Sequence, residues 1–499
     1  MEFLFDIDWV AAVTEMYLLF VINILILYGV VYTTTPSYHY PILLRNVTWL
    51  SSLVLFLALT LNILNPITGA LVFNNLLVID SFGNTIKSVV ILSTLCILLS
   101  AVRYNKLENL DSVEYVLLMV LACIGMVLLI SSYDLISVYL AIEFQSFCLY
   151  IMASLKRTSE FSTEGGLKYF ILGAFSSGLL LFGCSLIYGF TGTTNFQQLF
   201  LIFSIFSYSP SQFLDYENAT LAGIAFVLVG LLFKLSAVPF HIWAPDVYEG
   251  SPTSVTAFFA LVPKISILAL FVRFFCYVSY GFFIPWQQIL LFSSFGSMLI
   301  GTFGALFQNK IKRLLAYSAI GHIGYILIGL CSGSIEGVCS VFFYVTVYMV
   351  MTSGIFIILL SVRGLKNFHK LKFLNDLSGL AHVNPLMAVS LSVILFSMAG
   401  VPPLAGFFSK MFIFVSAVNS SMYALAILGV LTSVVSSFYY IRLIKIMCFE
   451  TRRHSFLVYE LDREKSLILG MLFIFLCTFF FWPNPIILIL HNAVFYLCV

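Results

Sequence analysis

Charge is what this sequence has least of. Only 9% of its 499 residues are Asp, Glu, Lys or Arg, against about a quarter in soluble globular domains. With 61% hydrophobic residues the chain cannot cover a water-facing surface. Its repeated apolar runs of about 20 residues are the signature of membrane-spanning helices. The net charge of +2 is spread over loops and gives no basic field for nucleic acid. Cofactor motifs are missing too. The ten cysteines sit mostly inside apolar runs, with no C-x-x-C pair and no Cys/His cluster at zinc spacing, and read as small buried hydrophobes. No haem, iron–sulfur or nucleotide motif is present. The glycines of "GGLKYFILGAFSSG" (165–178) suit helix packing in lipid rather than a phosphate cradle. Neither a bound metal nor redox chemistry is expected in this chain. The N-terminus, "MEFLFDIDWVAAVTEMY", is acidic and lacks arginine, which fits neither a secretory signal nor a transit peptide.

What is present is a long series of apolar spans. Hydropathy predicts an all-α polytopic membrane protein of about 14 transmembrane helices, among them a fifth at 134–155, a seventh at 221–240, a twelfth at 386–418 and a last at 465–484. A longer loop at 191–220 carries the apolar patch "FQQLFLIFSIF", read as an interfacial segment. Eighteen of the 24 basic residues fall in loops after odd-numbered spans, including Arg103, Lys156, Lys310, Arg363, Lys366, Lys370, Arg442 and Arg452. The other side has Lys87 and Arg273, both placed near helix ends. The positive-inside rule puts the basic loops on the cytoplasmic or matrix side and both termini on the other.

Four lysines, Lys168, Lys234, Lys264 and Lys410, lie within spans. A lysine at mid-bilayer costs roughly 3 kcal/mol on insertion scales. Glu143 in "YLAIEFQSF" and His322 in "AYSAIGHIGY" lie at comparable depth, and histidine titrates near neutrality. Taken singly, each is as well explained as a snorkelling or structurally paired residue. Together they form a series of intramembrane titratable groups, which is the pattern of a proton path. Lys234 reads as a proton-binding site with Glu143 as its electrostatic partner. His241 either hands protons onward or anchors a helix end.

Two spans are broken. Pro239 interrupts the seventh in "GLLFKLSAVPFHIW", and Pro402 and Pro403 interrupt the twelfth in "FSMAGVPPLAGFFSKMF". Irregular backbone at membrane depth survives only where protein or a wet cavity satisfies it, and paired broken helices point to a transport pathway. A simple packing kink is the alternative for each. Glu143 to Lys234 and His322 to Lys410 are nearly equal separations, which suggests two inverted five-helix repeats.

The stretches "FKLSAVPFHIWAPDVYEGSPTSVTAF" (233–258), "VPKISI" (262–267), "KIKRLLAYSAIGHIGY" (310–325) and "AGVPPLAGFFSKM" (399–411) resemble the antiporter-like membrane subunits of respiratory complex I, NADH:ubiquinone oxidoreductase. The resemblance implies an antiporter-like fold: a three-helix extension at 1–114, a first repeat at 115–276 (helices 4–8), a second at 277–450 (helices 9–13), and a C-terminal helix and tail at 451–499. It implies proton translocation through Glu143, Lys234, Lys264 and Lys410, supported by Lys168, His241 and His322. Lysine at 410, where one sister subunit has glutamate, separates the chain from that sister. Ser254 stands where the family more often has proline.

The same resemblance implies that FMN, iron–sulfur clusters and ubiquinone are bound elsewhere in the complex and none by this chain. The enzyme would be an H⁺-translocating NADH:ubiquinone reductase, a respiratory-chain electron-transport translocase of which this chain is one subunit. Its expected partners are the other membrane-arm subunits, above all neighbouring antiporter-like ones, with membrane lipids and no nucleic acid. The expected location is the mitochondrial inner membrane with both termini on the intermembrane-space side, the bacterial plasma membrane being the alternative. Competing readings are a stand-alone or Mrp-type cation/proton antiporter subunit, a structural subunit that no longer pumps, and the plastid form of the complex.

Overall fold

The computed structural model describes residues 8–33, 40–108, 110, 112–208, 214–364, 371–450, 456–458 and 462–498. Of the basic loop residues named above, Lys366, Lys370 and Arg452 lie outside them. In lipid the backbone must satisfy its own polar groups, and a helix does so within one segment. The apolar runs accordingly form α1 (Val13–Thr33), α2 (Tyr40–Leu64), α3 (Ser81–Leu107), α4 (Val113–Ser131), α5 (Leu135–Ala153) and α6 (Glu160–Thr191). There follow α7 (Phe196–Tyr208), α8 (Leu214–Leu235), α9 (Trp243–Gly250), α10 (Thr253–Phe271), α11 (Phe283–Leu306), α12 (Ile311–Cys331) and α13 (Ile335–Ser361). The remaining long helices are α14 (Pro385–Ala399), α15 (Ala405–Asn419), α16 (Tyr423–Cys448), α17 (Arg463–Thr478) and α18 (Asn484–Cys498). Polar side chains mark several starts: Asp80, Asp134 and Asn384 accept from the backbone N–H of Gly83, Ile136 and Met387, filling donors that the first helical turn leaves open.

Among the described residues, 12 helices are long and apolar enough to cross a membrane. The expected fourteen differ for two local reasons. The twelfth predicted span is divided at Pro402 and Pro403 into α14 and α15, 15 residues each. The last, α17, has 16 residues. Beyond Pro483 the expected tail forms a further helix, α18. Two short antiparallel strand pairs were not anticipated: the hairpin of Ala70–Val72 with Leu77–Ile79, and the long-range pairing of Val362–Gly364 with Phe456–Val458. The 191–220 loop holds α7, whose Phe196, Leu199 and Phe203 are buried on one face, the spacing of an amphipathic helix.

The core lies around α10, α12 and α13. α10 is buried along its whole length, and α12 and α13 nearly so. α11 and α12 approach closely where Gly301 faces Gly321; a Cβ at Gly301 would stand 2.7 Å from the Gly321 Cα. Small residues at a crossing are how helices gain contact in lipid, where lipid and side chain are equally apolar.

Within the extension formed by α1–α3, Lys87 and Glu15 form an ion pair at 2.5 Å with both side chains 1% exposed. Further polar contacts fasten the extension to the core. Arg273, in the π-helical turn Val272–Val278 that follows α10, donates to both carboxylate oxygens of Asp80 at 3.0 Å. Glu108, just past α3, receives Arg363 and Lys156. Ser254 donates to Asn105 at 2.9 Å. Lys87 and Arg273 lie near helix ends, as expected from sequence, but as buried members of ion pairs.

Candidate functional site

Both broken helices end in the same way. At the first break Ser236 adopts a left-handed φ of 62°, and the N–H groups of Ser236 and Ala237 return to the carbonyls of Phe233 and Leu232. At the second, Gly400 has φ 90°, and Gly400 and Val401 return to Ser397 and Phe396. These are Schellman ends, which satisfy carbonyls that a terminated helix leaves open. The Phe233 carbonyl also accepts from the Trp243 indole N–H at 3.0 Å. The first truncated helix thus stops among buried residues, Ser236, Ala237 and Val238, whereas the second stops beside the exposed Val401, Pro402 and Pro403.

A lysine sits at each of these ends. Lys234 occupies the last turn of α8. Lys410, on α15, donates to the Met398 and Ala399 carbonyls at the end of α14, both at 2.9 Å. A cation is favoured at a helix C-terminus, which offsets part of the cost of holding an ammonium among apolar groups. Lys234, Lys264, His322 and Lys410 are 7%, 4%, 3% and 6% exposed. None of the four makes an ion pair among the described residues.

Lys234 donates to the Tyr150 hydroxyl at 3.1 Å. Glu143, Ser146 and Tyr150 share one face of α5 at i, i+3 and i+7, and the Ser146 hydroxyl lies 3.4 Å from Glu143 Oε2. The Glu143 charge acts on Lys234, yet the direct contact expected of an ion pair goes to Tyr150 instead. Glu143 Oε1 is buried with no hydrogen-bond partner. Gly173 of α6 makes room for Tyr150, since a Cβ there would overlap the phenol.

Lys264 Nζ is buried without a hydrogen-bond partner and lies 5.9 Å from the Tyr248 ring centroid. Pro263 removes the N–H that would have taken the Phe259 carbonyl, and the Tyr248 hydroxyl donates to that carbonyl at 3.4 Å. The proline beside the lysine therefore also orients the ring that faces it. His322 is in electrostatic reach of both Lys264 and Lys410. Lys410 packs 5.5 Å from the Tyr325 ring, one turn beyond His322 on α12. Lys410 also lines an open cavity of about 370 Å³ reaching Asn419 and Ser433.

Lys168 and His241 stand apart from this line. Lys168, two turns into α6, is 45% exposed at its side chain and pairs with Glu164 and Asp246. His241 follows the first break, half-buried, with Nδ1 unpartnered. Asp246 of α9 also pairs with Arg313 at the start of α12, Glu249 pairs with Arg313 and Lys310, and Lys312 donates to the Ser251 carbonyl. The segment after the first break is thereby clamped to α12. Burial favours the neutral acid of Asp246, but the hydrogen bonds from Arg313 and Lys168 outweigh it and hold the carboxyl below its ordinary value. A depressed carboxylate stabilises above its unfolded pKa of about 3.9 and loses that contribution as pH falls through the folded value. Hydrogen-exchange protection factors in 243–250, which remove the intrinsic pH dependence of exchange, are therefore expected to be unchanged between pH 7 and 5. Asp246→Asn should lower them by no more than about 1 kcal/mol of local stability, since the pair is partly exposed. Lower protection already at pH 5 would count against the clamp.

The tyrosines beside the lysines and histidine were missed in the sequence. Tyr150 at i+7 from Glu143 and Tyr325 at i+3 from His322 were legible as same-face neighbours; Tyr248, Tyr344 and Tyr440 come from other helices and left no local signal. Among the described residues no three His, Cys, Asp or Glu gather as metal ligands.

Residues 132–436 match the family described as NADH:quinone oxidoreductase/Mrp antiporter, TM. NADH-ubiquinone oxidoreductase chain 2 of Marchantia polymorpha is 49% identical over 499 residues, covering 99% of this chain and all of that one. A chain of respiratory complex I from Thermus thermophilus superposes with a TM-score of 0.77 at 27% identity, covering 95% of this chain and 98% of that one. A chain of the Mrp complex from Dietzia shares the fold at a TM-score of 0.81 and 18% identity, covering 98% and 97%. On end-to-end identity to its relatives, paired broken helices and a matching fold, the chain belongs to the NADH:quinone oxidoreductase/Mrp antiporter family, among the antiporter-like membrane subunits of complex I.

Proposed function

We propose that this chain is a proton-translocating membrane-arm subunit of an NADH:ubiquinone oxidoreductase. The observation that carries this is the line of buried lysines and a histidine, none of the four with a fixed counter-ion among the described residues. A permanently paired lysine would hold its proton; one held by a tyrosine hydroxyl, a ring face or helix carbonyls can release it when a nearby charge changes.

In this reading Glu143 sets the charge on Lys234 through space, with Tyr150 fixing where the ammonium sits. Protons pass by Lys264 and His322 to Lys410 and leave through the cavity beside α15 and α16. Each elementary charge moved against the membrane potential costs about 2.3 kcal/mol per 100 mV, so the drive comes from redox chemistry in partner subunits. FMN, iron–sulfur clusters and ubiquinone belong to those partners. Lys168 and His241 are supporting positions at the margin of the path. The two Schellman-ended breaks support reading 115–276 and 277–450 as inverted repeats. The gathering of basic loops at one end supports both termini on the intermembrane-space side of a mitochondrial inner membrane.

The test is a native gel of gently solubilised membranes stained for NADH dehydrogenase activity. Co-migration of this chain with that activity in a very large complex is the expected result; migration as a small assembly without it would return the chain to a stand-alone antiporter. Within the complex, Tyr150→Phe keeps the ring and removes the hydroxyl that holds Lys234. A hydrogen bond to a charged group contributes about 1.5–3 kcal/mol, so NADH-driven pumping is expected to fall roughly tenfold with assembly intact. Unchanged pumping would remove Tyr150 from the path.

A further inference from the structure

His322 is held at both ring nitrogens by phenols. Nδ1 lies 2.5 Å from the Tyr344 hydroxyl and Nε2 3.0 Å from the Tyr440 hydroxyl, all three side chains buried. A neutral imidazole has one donor nitrogen and one acceptor nitrogen, while a phenol hydroxyl can donate or accept. The three groups therefore form an unbroken donor–acceptor chain whichever tautomer is present. α12 runs antiparallel to α13 and α16 in the order of the chain, which sets the depths. Tyr344 is nine residues past the start of α13, and Tyr440 is eight residues before the end of α16 at the end where the basic loops gather. Counted from the short turn that joins α12 and α13, His322 and Tyr344 each lie nine residues in and are level, while Tyr440 lies toward the basic-loop end. A third ring, Tyr348, closes the pocket 5.0 Å from the imidazole.

We infer that Tyr440 and Tyr344 are relay residues that carry protons to and from His322. The inference rests on the proton-translocating reading above. In the transfer, Tyr440 gives its hydroxyl proton to Nε2 and takes one from the basic-loop side. Nδ1–H gives its proton to the Tyr344 oxygen, and the original Tyr344 proton moves on. Each O–H or N–H bond broken is matched by one formed, no electron leaves any atom, and one proton has crossed the ring. The chain resets when the hydroxyls rotate and the imidazole regains its Nδ1–H tautomer. Packing alone would need the rings but not their hydroxyls.

The experiment uses the assembled complex with Tyr344→Phe, Tyr440→Phe and, as a control for the parent reading, Lys234→Ala. Each Phe variant is expected to assemble at normal size and lose pumping about a hundredfold, the lower range for a positioned proton-transfer group. Full pumping in both Phe variants alongside loss in Lys234→Ala overturns the relay and leaves the parent reading standing. Full pumping in all three overturns both. If a Phe variant does not assemble, 3,5-difluorotyrosine at 440 keeps the shape and makes the phenol more acidic. A shifted pH profile of pumping then supports the relay, and an unshifted one overturns it.

Discussion

Replacing Lys87 with methionine is expected to destabilise the chain by about 3–5 kcal/mol, the usual cost of leaving one half of a buried ion pair alone. Its partner, Glu15, has nowhere to turn. The Thr14 hydroxyl already donates to one carboxylate oxygen at 2.6 Å, Lys87 takes the other, and both charged side chains are enclosed between α1 and α3. The loss should appear as less of the chain in the assembled complex and earlier thermal inactivation. Adding Glu15→Gln to Lys87→Met removes the stranded charge and is expected to restore most of the stability. A single variant as stable as its parent would mean that water reaches Glu15 after all.

Lys234→Ala is expected to reduce proton translocation through this chain about a hundredfold, on the scale of a positioned acid–base group. The more telling variant is Lys234→Arg. Guanidinium keeps the charge but does not give up its proton in proteins, so a relay fails with arginine while a purely structural cation survives it. Both variants are scored as protons moved per NADH oxidised, in complexes of normal size. Normal pumping in Lys234→Arg would show that the site needs charge and not exchange. Glu143→Gln should give a smaller loss, because Glu143 acts on Lys234 from a distance and makes no direct ion pair with it.

The sequence by itself determined that this is a membrane protein, where its apolar spans run and which of them break. It also picked out Glu143, Lys234, Lys264, His322 and Lys410. These follow from local chemistry: an apolar run long enough to cross lipid, a proline that cannot donate, a charge where charge is costly. Local patterning could not show that α14 and α15 are two helices with matching Schellman ends to α8, because that depends on which carbonyls find partners. Nor could it separate Lys168, half-exposed in an ion-pair cluster, from the three enclosed lysines. Lys87 and Arg273 read as helix-end charges, and only the fold brings Glu15 and Asp80, distant in the chain, beside them. The tyrosines at Lys264 and His322 arrive from other helices. Which charges are paired and which have no ion-pair partner among the described residues was decided by the tertiary structure alone, since a partner's distance in space is fixed by helix packing and not by its distance along the chain.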